Sequence, residues 1–261
     1  MSELVKYQVD GGVAVLTLCD PPANTYTYEM MQQLDTCILK ARMDESAHVI
    51  LMTGEGDKFF SAGANINMLN EVTPTFKYFF CLHANETLSR LEQTPKLVIA
   101  ALNGHTVGGG LEIAMAADMR IAKEEGGKIG LPEVTLGVLP GTGGTQRLGR
   151  LIGKAKALEL MITGRTFGFD EAKKYGIVND IYPAATFMED VMAFAKQFVP
   201  PNKASKAVGR IKRCLCSGLE VPFGEGLAIE RELQQHLFQS DDGKEGISAY
   251  VEKRRPQFTG A

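Results

Sequence analysis

Glu112 and Glu133 are the residues of this 261-residue chain best placed to do chemistry, because each sits in a glycine-framed turn. Glu112 lies in Val107-Gly-Gly-Gly-Leu-Glu-Ile-Ala-Met115, and Glu133 in Gly130-Leu-Pro-Glu-Val-Thr-Leu-Gly-Val-Leu-Pro-Gly141. A third turn, Ser61-Ala-Gly-Ala-Asn65, precedes both. Glycines at 108–110 let the backbone come close to a ligand, and a helix starting there presents free N–H groups with a favourable dipole. The N–H of Ala64, after Gly63, supplies a partner donor. Two converging N–H groups stabilise an oxyanion or enolate, and losing one costs roughly a hundred- to a thousandfold in rate. Leu111, Ile113, Ala114 and Met115 surround Glu112, and Glu133 follows Pro132 in an apolar run. A buried carboxylate needs a partner or a role. In dry surroundings it binds its proton more tightly and exchanges it near neutrality. The pattern therefore points to proton transfer beside an anion hole. The bland alternative is three structural turns and a glutamate that complements a helix dipole.

Other chemistries find no support in the motifs. Gly104-His-Thr-Val-Gly-Gly-Gly110 follows a strand and opens a helix, but it has neither dinucleotide-loop nor Walker spacing. His48, His83, His105 and His236 form no metal motif, and His105 reads as a turn residue. No G-x-S-x-G elbow is present for a serine nucleophile. Cys214 and Cys216 form C-x-C, read as one buried and one exposed thiol on a helix, and no metal site is expected.

The elements that must position these turns follow from periodicity. Residues 4–9 and 13–18 flank Asp10-Gly-Gly12 as a hairpin, and Tyr28 to Met43 has helical spacing. His48–Thr53 and Lys96–Leu102 read as buried strands, with a loop at 61–65 and one or two helices through about Leu91 between them. Shorter strands are expected at 118–122, 128–130 and 177–182. Helices are expected at 154–163, 170–175, 187–198, 204–217, 225–237 and 243–253. Strands alternating with helices indicate an α/β fold with mainly parallel pairing. Residues 1–200 read as a layered core carrying the site, and 201–261 as a helical C-terminal region.

Composition bounds the function without naming it. Apolar residues make up 44% and charged residues 23%, ordinary for a chain that buries a full core. A net charge of −3 argues against nucleic acid as the main ligand. Lys203, Lys206, Arg210, Lys212 and Arg213 form a basic run, read as a solvated helix face rather than an RNA surface. No apolar stretch reaches membrane-spanning length. Five scattered cysteines and no apolar leader at the N-terminus suggest reduced thiols in a cytoplasmic setting, or a mitochondrial matrix if the chain is a processed form.

In this order the turns resemble the crotonase, or enoyl-CoA hydratase/isomerase, superfamily. The likeness covers Pro22-Ala-Asn24, Lys58-Phe-Phe-Ser-Ala-Gly-Ala-Asn65 and Asn103-Gly-His-Thr-Val-Gly-Gly-Gly-Leu-Glu112. It continues through Leu131 to Arg147 and the tail Val251-Glu-Lys-Arg-Arg-Pro-Gln-Phe258. The resemblance implies a spiral of ββα units and a helical C-terminal region that builds homotrimers, often paired into hexamers. It implies an acyl-CoA substrate whose coenzyme A is part of the reactant, with no separate cofactor. Ala64 and Gly109 match the two thioester-oxygen donors, Glu112 and Glu133 the acid–base pair, and Gly141 a glycine that helps to position water. Ala23, Lys58, Ala62 and Ile66 match positions lining the CoA, and Asn65 and Met68 belong to the same binding region. Tyr250 and Lys253 match positions that reach the CoA of a neighbouring subunit.

Within the superfamily, keeping both glutamates implies syn addition of water to a 2-enoyl-CoA. Double-bond isomerisation, hydration of branched or cyclic enoyl-CoA, decarboxylation and thioester hydrolysis are the alternatives. Two departures stand out. Asn65 replaces the usual Asp, and the interval between the glutamates carries an extra residue, assigned to a surface hairpin at Glu124-Glu-Gly-Gly127. Residues 68–83, with Met68, Leu69, Phe76, Tyr78, Phe79 and Phe80, are expected to wall the acyl pocket.

Overall fold

Two sheets of the chain grow in step, and the computed structural model describes them within residues 2–261. Strands β1 (Val5–Asp10) and β2 (Val13–Leu18) form the expected antiparallel hairpin. Helix α1 (Tyr28–Met43) follows, capped by Thr27, whose side chain accepts from the Met30 N–H. Three strand pairs then repeat one plan. The first strand of each pair enters the six-stranded sheet and the second enters a four-stranded sheet. The pairs are β3 (Val49–Gly54) with β4 (Phe59–Ser61), β5 (Leu97–Leu102) with β6 (His105–Val107), and β7 (Met119–Lys123) with β8 (Lys128–Gly130). Helices α2 (Ile66–Glu71) and α3 (Pro74–Gln93) follow the first pair, and α4 (Gly109–Met115) follows the second. The third is followed by a 3-10 turn (Glu133–Leu136), α5 (Gly144–Ile152) and α6 (Lys154–Thr163).

Strands β9 (Phe167–Gly168) and β10 (Asp180–Tyr182), with α7 (Phe169–Lys174) between them, complete the sheets. Their orders are β1-β2-β3-β5-β7-β10 and β4-β6-β8-β9. From β2 to β10, and from β4 to β8, the pairing is parallel. This is the spiral of ββα units that the resemblance implies.

The large sheet is buried on both faces, as parallel sheets are. Alternation sends Val13, Val15, Val49, Leu51, Ile99 and Ala101 to one side, where they meet Phe187, Val191 and Ala195 of α8 (Phe187–Lys196). Leu16, Leu18, Ile50, Met52, Ala100 and Leu102 face the main core with α1, α3 and α4. Each fully buried Leu or Ile contributes about 1.5–3 kcal/mol. Three long helices end the chain: α9 (Ser205–Gly218), α10 (Phe223–Gln239) and α11 (Asp241–Glu252).

Several expectations need correction. Phe59–Ser61 is a strand that the sequence did not show, ending where the expected loop begins, and His105 opens the strand His105–Val107 rather than a turn, because three residues are too few to show a period. Glu124–Gly127 is not a hairpin: it joins β7 and β8, which belong to different sheets. Lys212 is not on a solvated face. It is 7% exposed, and its ammonium lies 2.9 Å from Asp118. Cys214 and Cys216 are both half-buried, not one in and one out.

Candidate active site

The first two glycine turns meet because β4 and β6 are neighbours. Gly63 ends one turn at φ +90°, and a Cβ there would sit 2.8 Å from the amide nitrogen of Gly109. Gly108 takes φ +57°, which favours glycine, and starts α4. A Cβ on Gly109 would collide with the hydroxyl of Tyr26. Tyr26 also aligns the first turn: its N–H donates to Gly63 O at 2.9 Å, and its carbonyl accepts the Asn65 N–H at 3.0 Å. The Ala64 N–H between them is left without an acceptor in the described residues. Gly109, as the first residue of α4, has none either.

Both amides open into one cavity of about 360 Å³. Glu112, Glu133 and Gly141 line it, together with Tyr26, Lys77 and Thr142. Leu69, Pro132, Leu136, Val138 and Leu139 supply apolar walls. The five residues expected to do the chemistry, Ala64, Gly109, Glu112, Glu133 and Gly141, therefore converge on one space.

The two carboxylates have unlike surroundings. Glu112 is 2% exposed, and its Oε1 accepts the N–H groups of Thr142 and Gly144, each at 2.7 Å. These donors stand at the start of α5, where the helix dipole also favours negative charge. Burial pushes the Glu112 carboxyl up from its ordinary range, opposed by the amides of Gly144 and Thr142. Glu133 Oε2 is buried with no hydrogen-bond partner. Burial pushes its carboxyl up to about 7, and the charge of Glu112 adds to the shift. Both carboxyls therefore bind their protons more tightly than exposed glutamates do.

Sequence reasoning missed the residues that hold Glu112. Thr142 Oγ1 and the Tyr26 hydroxyl are 3.0 Å apart, and Tyr26 is fully buried. Arg147 Nη1 donates to Thr142 O at 3.2 Å, and its Nε and Nη2 grip Glu92 at 2.9 and 2.7 Å. A tyrosine after Asn24-Thr25 carries no local signal; only its place under Gly109 reveals its part.

The positions matched to CoA binding scatter more widely. Ala62 and Ile66 line the cavity, and Ala23 O accepts the Ala62 N–H at 2.9 Å. Lys58 is exposed, and its carbonyl accepts the His105 N–H at 2.9 Å. Asn65 caps α2, its Oδ1 accepting the Met68 N–H at 3.1 Å, and Met68 packs against the core. Tyr250 and Lys253 are exposed at the end of α11, away from this cavity. The expected acyl wall needs correction. Of residues 68–83 only Leu69 and Lys77 line the cavity. Phe80 is in the core, and Tyr78 and Phe79 are exposed.

The family pattern described as enoyl-CoA hydratase/isomerase matches residues 8–261. The chain belongs to the enoyl-CoA hydratase/isomerase family. A probable enoyl-CoA hydratase of Bacillus subtilis is 38% identical over 98% of both chains. A short-chain-enoyl-CoA hydratase of Clostridium acetobutylicum is 36% identical over 94% of both. The solved enoyl-CoA hydratase structure from Geobacillus kaustophilus superposes with a TM-score of 0.97 at 44% identity, covering 100% of this chain and 98% of that one. Hydratases of this family act on acyl-CoA substrates.

Proposed function

We propose that the chain catalyses reversible hydration of a 2-enoyl-CoA to a 3-hydroxyacyl-CoA. The observation that carries this reading is the single cavity in which two free amides meet two carboxyls of unlike hydrogen-bonding surroundings. The Ala64 and Gly109 N–H groups hold the thioester oxygen and stabilise the enolate that forms when the β-carbon is attacked. Glu112, whose Oε1 is fixed by two amide donors, acts as the base that takes a proton from water as it attacks. Glu133, which holds its proton to about pH 7, delivers it to the α-carbon. The reverse reaction exchanges the two roles.

In this reading water and proton add to the same face of the double bond, as the resemblance implies, from two carboxyls that line one cavity. Gly141 lies beside Thr142 on the Glu112 side, where its N–H helps to place the water. Coenzyme A enters as part of the substrate, over Ala62 and Ile66.

Loss of the conjugated-thioester absorbance of crotonyl-CoA tests this reading. Glu112→Gln and Glu133→Gln are each expected to lower kcat roughly a hundred- to ten-thousandfold, with KM little changed. Full turnover in either variant rules the mechanism out.

A further inference from the structure

Lys77 is the one cationic side chain lining the cavity among the described residues. It comes from the first turn of α3 and lines the cavity that Leu69, Leu136, Val138, Leu139 and the two glutamates share. Its stem covers Phe80, with the ammonium 5.3 Å from the ring centroid. No carboxylate of the protein lies within ion-pair distance, and no side chain or carbonyl accepts from it, among the described residues. The ammonium is partly buried, and a plain hydrocarbon tail filling the cavity would take further water from it.

We propose that Lys77 selects an enoyl-CoA whose acyl chain ends in a carboxylate. The inference rests on the hydratase reading and names the substrate class for the same cavity. A tail carboxylate held in this cavity would meet Lys77 as a charge-assisted hydrogen bond, with Leu69, Leu136, Val138 and Leu139 among the walls, where such a bond is strong. It would also cancel a charge that disfavours proton uptake at both glutamates. An uncharged tail of equal length gains neither effect. Discrimination then comes from the ion pair that the carboxylate gains and the added desolvation of Lys77 that an uncharged tail imposes.

The test compares kcat/KM for two matched pairs: pent-2-enedioyl-CoA against pent-2-enoyl-CoA, and hex-2-enedioyl-CoA against hex-2-enoyl-CoA. For at least one pair the protein is expected to favour the dicarboxylic ester by roughly ten- to a hundredfold. Lys77→Met should bring that ratio to about one, Lys77→Glu should invert it, and Lys77→Arg should keep most of it. A parent that hydrates the monocarboxylic esters as well as the dicarboxylic ones, or better, overturns the proposal while leaving the hydratase reading intact. So does a preference that survives Lys77→Met and Lys77→Glu. If no ester of either pair is hydrated, the hydratase reading itself has failed.

Discussion

Glu112 and Glu133 differ in what their oxygens touch, and burial raises the proton affinity of both. Glu112 has two short amide donors on one oxygen, whereas Glu133 has a buried oxygen with none. The raised affinity of Glu133 has a stability consequence. Its carboxyl holds a proton to about 7 in the folded chain against an ordinary value of 4.5. Folding therefore gains from this group in full below about pH 4.5, and the gain is lost as pH rises through about 7. Glutamine at 133 is neutral at every pH. Thermal unfolding of Glu133→Gln against the parent should show the variant's relative stability improving by several degrees from about pH 5.5 to about pH 8.5. A flat difference would mean that Glu133 titrates normally. In the parent, the kcat/KM for hydration should fall above about pH 7 as the proton donor is lost, a limb that a pH–rate profile reads directly.

At the scale of elements, short helices and tight turns do the positioning. Helix α2 has six residues and depends on its cap, Asn65, to satisfy the Met68 N–H. Aspartate caps as well as asparagine. The replacement of the family's Asp by Asn65 therefore leaves α2 intact, and Asn65→Asp should change the unfolding free energy by less than about 0.5 kcal/mol. Asn65→Ala should cost about 1 kcal/mol by the same measurement. If Asn65→Asp is the more damaging, the side chain has a charge-sensitive contact beyond capping. The start of α5 depends on Arg147, which ties Thr142 to Glu92 of α3. That tie links the helix beside Glu112 to the helix that carries Lys77.

For the whole molecule, the question is how the last helices join the core. Helix α9 is anchored by Lys212, whose ammonium meets Asp118 and donates to Leu91 O at 3.3 Å and Lys96 O at 3.1 Å. Lys212→Met should destabilise by about 3–5 kcal/mol, because it strands a partly buried carboxylate. Adding Asp118→Asn should recover part of that loss; denaturant unfolding of the three variants measures it as a double-mutant cycle. Helices α9 to α11 leave Ile211, Leu215, Leu219, Phe223, Phe238, Tyr250 and Val251 exposed. Apolar surface of this extent marks an association face, and we expect trimers or hexamers of the 28.4 kDa chain in light scattering. A monomer at micromolar concentration would contradict this.

The sequence by itself determined the long elements and pointed to the candidate residues that share one cavity. Periodicity over 28–43, 97–102 and 154–163 survives any context, because an apolar face repeated over several turns or a whole buried strand has only one stable use. The glycine turns and the two glutamates were legible for a related reason: a glycine beside a buried carboxylate is costly unless the fold uses it. Tertiary structure decided the rest. It alone brought Tyr26 beneath Gly109, set two amides of α5 against Glu112, left Glu133 Oε2 without a partner, and turned Phe80 into the core while aiming Lys77 into the cavity. Those outcomes depend on contacts between segments far apart in the chain. Local spacing carries no information about which distant backbone N–H or ring will fill a given space.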